Sequence, residues 1–307
     1  MEEHWKENMR VIAVVVTYNR LELLKRNISC LRKNEPLSGI VVVNNGSTDG
    51  TAEWLAGEPS LHVISQENVG GSGGFHTGIA EAYKLGADWI WCMDDDVFPR
   101  PDCLKSLLRH SGRKDVGILA PRRLMEGKIY TNDFQGLDLT RPFASLYKGR
   151  LAKMNVTGPT EICGTAFEGP FIRREVVDKI GLPTKELFIF CDDTDYCIRT
   201  VQAGYKILYI PEALMDKEKF FSGDSWKERS KKKKWKRFYQ VRNSTYLNHH
   251  YGKNWGVRYL RGFNGVIGYI LIAFLTCLFS DVYQWSDIAR FWRAYRDGLA
   301  ERLGKYQ

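Results

Sequence analysis

Trp89-Ile90-Trp91-Cys92-Met93-Asp94-Asp95-Asp96-Val97 is the stretch that decides how the chain is read. Trp89 to Met93 are all apolar, the pattern of a strand covered on both faces. Three consecutive carboxylates follow at the strand end, where an open α/β sheet keeps its ligand crevice. Carboxylates packed together repel one another unless positive charge sits among them. On extended backbone Asp94 and Asp96 project to one side. Two hard oxygen ligands on one side suit Mg²⁺ or Mn²⁺, especially an ion shared with substrate phosphates. A solvated acidic turn before Pro99 is the plainer alternative.

Around this stretch, strands and helices alternate. Val11 to Thr17 is a β-branched run that reads as a buried first strand, and a helical pattern follows through Leu21, Leu24, Ile28 and Leu31. Gly39 to Val43 reads as a second strand and Leu61 to Ser65 as a third, with Asn-Gly and Asp-Gly turn signals between them. Asn68-Val69-Gly70-Gly71-Ser72-Gly73-Gly74-Phe75 then enters a helix expected from about Thr77. Such alternation predicts an α/β fold, a mostly parallel sheet with helices on both faces. Glycines entering a helix let backbone N–H groups approach an anion. Their spacing departs from Gly-x-Gly-x-x-Gly and follows the third strand, which argues against a dinucleotide-binding dehydrogenase; a ligand-free flexible loop is the alternative. Phe171 to Val177 reads as a helix start. Leu187 to Cys191 reads as an apolar strand running into a second acidic cluster, Asp192-Asp193-Thr194-Asp195. One of these acids suits a helix cap, and another can act as a general base.

Composition sets the outer bounds. The chain has 307 residues, 44% of them hydrophobic, enough for one large domain or a domain with an appendage. Its seven cysteines form no Cys-x-x-Cys pair, which points to buried thiols in place of a disulfide frame or zinc site. Met1 to Arg10 is charged and the next apolar run is strand-length, so no signal peptide is expected. A formal charge of +9 admits phosphorylated substrates, anionic membrane or nucleic acid as partners.

Four motifs in order resemble the family 2 glycosyltransferases: Val16-Thr17-Tyr18-Asn19-Arg20, Asn44-Asn45-Gly46-Ser47-Thr48-Asp49-Gly50-Thr51, the Asp94-Asp95-Asp96 strand end, and Phe188 to Arg199 with Gly204-Tyr205. The resemblance spans about Val11 to Lys217 and implies a GT-A fold, a nucleotide-binding α/β sheet. With the glycine-rich stretch, the chain is most similar to bacterial galactofuranosyltransferases. That implies a UDP-sugar donor, UDP-galactofuranose, and a lipid-linked glycan acceptor in cell-surface polysaccharide synthesis. Carried over by motif, Thr17, Asn19, Arg20 and Asn44 line the nucleotide pocket, and Asn68, Gly70, Gly71, Gly73 and Gly74 pass near the donor. Asp94 and Asp96 carry Mn²⁺ or Mg²⁺, Asp95 lies near ribose or sugar, Asp193 is the catalytic base and Asp192 the acid before it. The family often has a His after the strand that ends at Pro211. Here Asp216 can replace it as a third metal ligand, or Lys217 can neutralise diphosphate directly; His249 and His250 are remote alternatives. A rhamnosyl- or other hexosyltransferase on the same fold is the rival reading. From another class, so is a non-catalytic protein binding lipid or nucleic acid.

The catalytic domain is expected over residues 1–222, and a basic helical region over 223–307. Lys227 to Arg237 mixes lysines with Trp226, Trp235, Phe238 and Tyr239, as at an anionic membrane surface; a mobile solvated loop is the alternative, with nucleic acid behind both. Tyr269 to Phe279 is apolar but shorter than the ~20 residues of a spanning helix. It is read as buried or interfacial, with Arg258, Arg261, Arg290, Arg293 and Arg296 toward lipid phosphates. Packing on the catalytic domain or in a homo-oligomer is the alternative. The expected location is cytoplasmic, peripheral on the inner face of the cell membrane.

Overall fold

The computed structural model describes residues 9–130, 133–151, 156–219 and 223–306. The chain divides into two compact units. The first comprises Met1–Gly136, Gly149–Lys185 and Asp193–Glu218. The second comprises Leu137–Lys148, Glu186–Asp192 and Lys219–Gln307. The expected boundary after residue 222 falls outside the described residues; the units part after Glu218, and two earlier segments join the second unit.

Strands β1 (Val11–Thr17), β2 (Gly39–Asn44), β3 (His62–Ser65) and β4 (Trp89–Asp94) alternate with helices α1 (Leu21–Leu31), α2 (Thr51–Ala56) and α3 (Gly70–Lys84). Next come β5 (Val97–Pro99), α4 (Cys103–Leu108), β6 (Val116–Met125), β7 (Lys128–Tyr130), β8 (Phe134–Leu137), β9 (Tyr147–Arg150) and β10 (Thr160–Ile162). The sheet is completed by β11 (Phe171–Arg173) and β12 (Lys206–Lys217), which flank α5 (Arg174–Ile180) and α6 (Asp192–Gln202). Strand order is β10-β12-β6-β11-β4-β1-β2-β3. The β4-β1-β2-β3 half is parallel, as the alternation predicts. The other half is mixed, because β11 runs antiparallel to both β4 and β6. Phe171–Arg173, read from sequence as a helix start, is therefore a strand; pairing on both sides overrides local preference.

β1 is buried along its whole length, and its alternate side chains feed two cores. Val11, Ala13 and Val15 pack with Leu24, Ile28 and Leu31 of α1 and with Leu104 and Leu107 of α4. Ile12, Val14 and Val16 pack with Phe75, Ile79 and Ala82 of α3. Trp89 stacks on Phe171 with ring centroids 4.6 Å apart, which seats the inserted strand against β4.

In the second unit, α7 (Trp226–Tyr251) starts at Ser225, which forms a capping box with Glu228. The lysine run is thus the opening of a helix and not a loop. Lys227 and Lys231 pair with Asp281, Lys232 with Asp224 and Lys234 with Asp287. A π-helical segment, Gly256–Arg261, leads straight into α8 (Gly262–Phe279). Together they make 24 helical residues, long and apolar enough to cross a membrane, with 17% of the apolar window buried. This is longer than the short, buried or interfacial helix expected from Tyr269–Phe279, and most of it is not buried. Leu271, Ile272, Leu275, Leu278 and Phe279 are exposed. On α9 (Trp285–Leu299), Phe291 is fully buried against Phe238, Tyr269 and Tyr283, while Trp292 stays exposed. Of the arginines expected to face lipid, Arg261 is instead buried against the carbonyls of Asp138 and Arg141. Arg258 donates to the Gly252 carbonyl and Arg290 pairs with Asp287.

Candidate active site

The crevice follows from strand order. From β1 the chain steps outward to β2 and β3, then returns to place β4 on the other side of β1. Ligands of open α/β sheets bind at such a reversal, beyond the carboxyl ends of the strands. Thr17 and Asp94 end these two strands, and Val16 is in register with Asp94. After Asp94 the backbone leaves the extended conformation, and Asp95 and Asp96 form the tight turn into β5. The two-residue spacing therefore does not operate as on a strand. Asp95 turns to Thr17, whose Oγ1 donates to it at 2.7 Å. Arg20 Nη1 bridges Asp95 at 3.0 Å and Asp96 at 3.2 Å.

A second cation closes the other side. Lys217 Nζ lies 2.8 Å from Asp96 Oδ1 and 2.8 Å from Glu168 Oε1, and its side chain is 9% exposed. Asp216, the expected third metal ligand, points away and is held bidentate by Arg100 at 2.8 and 3.0 Å. Neighbouring strand residues face opposite sides. Which of the two faces the crevice is set by the irregularity between Ile210 and Leu214 in the β12–β6 register. Of the two sequence alternatives, the lysine has the place.

Glu168 and Arg123 were not singled out from sequence. Arg123 is buried and pairs with Asp133 at 2.7 Å and Glu168 at 3.2 Å. The signal available was a charged pair, Arg122-Arg123, inside an otherwise apolar strand pattern. Glu168 sits just before Gly169-Pro170, where Gly169 N donates to Cys92 O and Cys92 N to Pro170 O at the start of β11. The antiparallel insertion thus carries Glu168 to the carboxyl end of β4.

The electrostatics are those of a site with surplus negative charge. Burial, the Asp96 charge and neighbouring carboxylates push Asp94 well above the usual carboxylate range, against the pull of Lys217. The Asp94 carboxylate accepts no hydrogen bond among the described residues. Burial also raises Asp95 to about 6, although Arg20 and Thr17 oppose it. Asp94, Asp95, Asp96, Asp133, Glu168 and Asp193 outnumber Arg20, Arg123 and Lys217. A divalent cation beside Asp94 and Asp96 would cancel that surplus, so the residues present fit one. No third His, Cys, Asp or Glu completes a cluster among the described residues; water and substrate oxygens would fill the remaining positions.

Asp192 and Asp193 open α6. Asp192 is buried and Asp193 partly accessible. Burial raises Asp193 to about 6, opposed by hydrogen bonds from the Thr194 N–H at 2.6 Å and the Thr194 hydroxyl at 3.1 Å. The Glu168 charge raises it further and Arg123 lowers it. Asp195, the third acid, accepts from Thr184 and Arg199 and is structural. The segment before Asp192 is not the expected strand: Lys185–Leu187 is a 3₁₀ turn, and Phe188, Phe190 and Cys191 have positive φ.

The expected nucleotide loops are braced by their own hydrogen bonds. Asn44 is buried, with Oδ1 accepting from Ser47 N and Nδ2 facing Ser65 Oγ, so it braces its own turn. Asn19 accepts from Thr48 N at 2.7 Å, and Asn68 accepts from Gly70 N at 2.9 Å. α3 begins at Gly70, earlier than expected, and its glycines largely serve packing. A Cβ on Gly74 would lie 2.5 Å from Val16 Cγ1, and one on Gly78 would lie 2.3 Å from Val14 Cγ1. A Cβ on Gly73 would meet Val69, whereas Gly71 faces open space.

The family described as glycosyl transferase family 2 matches residues 12–181. The chain belongs to that family. This family 2 glycosyltransferase is 28% identical over 253 residues to galactofuranosyltransferase GlfT1 of Mycolicibacterium smegmatis, covering 77% of this chain and 82% of that protein. It is also 28% identical over 215 residues to undecaprenyl-phosphate mannosyltransferase of Micrococcus luteus, covering 68% and 85%. Its fold is shared with the solved structure of GalNAc-T7 with UDP, GalNAc and Mn²⁺, at TM-score 0.57 and 16% identity, over 84% of this chain and 55% of that one. The family 2 transferase therefore has the GT-A fold expected from its motifs.

Proposed function

We propose that this glycosyltransferase moves galactofuranose from UDP-galactofuranose onto a hydroxyl of a lipid-linked glycan acceptor, with inversion. The observation that carries the reaction type is Asp193, a partly accessible carboxyl poised near 6. The acceptor oxygen attacks the anomeric carbon and gives its proton to Asp193. The bond from that carbon to the diphosphate oxygen breaks, and its electron pair leaves with UDP. Lys217 and Arg20 supply fixed positive charge beside Asp96 for the departing diphosphate. A divalent ion, Mn²⁺ or Mg²⁺, held by Asp94 and Asp96 would add to that neutralisation. Thr17 and Arg20 orient Asp95 toward the ribose or sugar, while Asn19, Asn68 and Gly71 border the nucleotide. Support for galactofuranose is the likeness to GlfT1 together with the Asn68–Phe75 glycine stretch. A rhamnosyl or other hexosyl donor is the rival, favoured by the equal identity to a mannosyltransferase.

The exposed apolar residues of α8, with Trp255 and Trp285 exposed near its ends, support a membrane-surface location suited to a lipid-linked acceptor. Transfer should be measured with Mn²⁺ or Mg²⁺ across UDP-galactofuranose, UDP-galactopyranose, UDP-glucose and dTDP-rhamnose, with a polyprenyl-linked acceptor. Turnover confined to UDP-galactofuranose is expected. Asp193→Asn should lose ~10²–10⁴-fold in kcat with donor KM unchanged. Full activity in that variant would remove Asp193 from the mechanism, and preference for another donor would discard galactofuranose.

A further inference from the structure

The turn that leads into Asp193 is held in a conformation its sequence disfavours. Phe188, Phe190 and Cys191 have φ of 65°, 67° and 68°, and none is glycine. Ile189 N donates to Leu187 O at 2.7 Å across Phe188, closing a three-residue turn whose central residue has positive φ, the rare and strained γ-turn geometry. Residues in such regions persist only where their surroundings over-determine them. Asn243, fully buried on α7, provides that constraint. Its Nδ2 donates to the carbonyls of Leu187, Ile189 and Phe190 at 2.9, 2.8 and 3.0 Å. Arg242 Nε donates to Asn243 Oδ1 at 2.9 Å, so the amide nitrogen is the end that faces the turn. Arg242 itself donates to Leu187 O at 3.1 Å, and Phe188 stacks on Tyr239 with ring centroids 5.0 Å apart.

We propose that Asn243 is a positioning residue for the transfer reaction. Its amide clamps the Leu187–Cys191 turn in the left-handed form from which the chain continues directly into Asp192 and Asp193. Without the clamp the turn relaxes toward ordinary φ values, and the start of α6 loses its fixed aim. This rests on the reading of Asp193 as the base.

The test uses the full chain carrying Asn243→Asp. That change keeps the size and the acceptor for Arg242 but removes both N–H donors to the turn. Hydrogen exchange of the backbone amides in 186–192 should rise at least ~10-fold, with α1 and α3 unchanged. Transfer should fall about 100-fold in kcat, with donor KM within about twofold, as for a misplaced catalytic group. Adding Cys191→Gly, which adopts positive φ without steric cost, should recover about tenfold of that loss. Exchange and kcat both close to those of the parent would overturn the proposal. So would a fall in kcat that Cys191→Gly does not relieve, because that marks a merely structural asparagine. Should Asn243→Asp fail to fold, Asn243→Ser, which keeps one donor, carries the same comparison. Asp193→Asn run in parallel separates the two readings: an active Asp193→Asn removes the base, whereas an inactive one beside a fully active Asn243→Asp removes only the clamp.

Discussion

Replacing Lys217 by Met tests the charge balance of the crevice directly. The methionine keeps most of the stem volume and deletes one cation that touches two carboxylates, buried Asp96 and largely buried Glu168, each at 2.8 Å. Breaking a buried ion pair from one side costs about 3–5 kcal/mol, because the remaining charge is left uncompensated. For a domain of this size each kcal/mol moves Tm by about 2–4 °C, so the fall should be about 6–20 °C at pH 7.5. The pH dependence has a definite sign. In the parent, burial works against the Lys217 charge, but Glu168, Asp96 and Asp94 outweigh it and raise its pKa above 10.5. A raised cation contributes stability that is complete below the unfolded value, so the parent keeps it throughout pH 5–8. In the variant, Asp94, already raised by burial and the neighbouring carboxylates, loses the Lys217 charge that opposes that rise, so it holds its proton more tightly folded than unfolded. The folded state then binds more protons than the unfolded chain, and stability falls as pH rises. The deficit should be small at pH 5 and largest at pH 8. Mn²⁺ should raise Tm more in the variant than in the parent, since the ion meets a less compensated site. Lys217→Arg, which keeps the charge, should fall between the two. Calorimetry at pH 5 and 8 is the assay. A variant within about 2 °C of the parent at both pH values would refute the proposed charge balance.

The Asp193 carboxyl, raised to about 6, must be ionised to accept a proton, so kcat/KM should climb with pH and level above about 6; a profile flat from pH 4.5 to 7.5 counts against it. The same raised pKa makes its stability contribution decline as pH rises through this range. Gly78→Ala would put a Cβ 2.3 Å from Val14 Cγ1, and an overpacking cost of ~1–3 kcal/mol should exceed the ~1 kcal/mol helix gain, lowering the urea midpoint. Gly71→Ala, facing open space, should not lower it. Leu271→Lys with Leu275→Lys, at 56% and 55% exposed positions, should cut co-sedimentation with phosphatidylglycerol vesicles at least ~10-fold without lowering Tm.

Much of this was legible in the sequence. The parallel half of the sheet followed from apolar runs separated by turn signals, and the strand-end acids marked the crevice. The elements misread were those whose conformation is imposed from outside. Phe171–Arg173 is a strand because β4 and β6 pair with it. Leu187–Cys191 is a left-handed turn, and the Asn243 amide that holds it lies more than fifty residues away in sequence. The glycine stretch signalled a helix entry, but Val14 and Val16 on β1 make Gly78 and Gly74 necessary for close packing.

By itself the sequence determined the family, the α/β order, the position of Asp94–Asp96 and the candidate base, because these depend on local pattern and short motifs. Tertiary structure decided which charges meet. Lys217 and Asp216 are neighbours with opposite charge, and no local rule says which one faces Asp96. The register irregularity after Ile210 sets that side and brings Lys217 to a carboxylate 121 residues away. Glu168 and Arg123 join it for the same reason. Their partners are specified by strand order and pairing, which place residues distant in sequence within ion-pair distance.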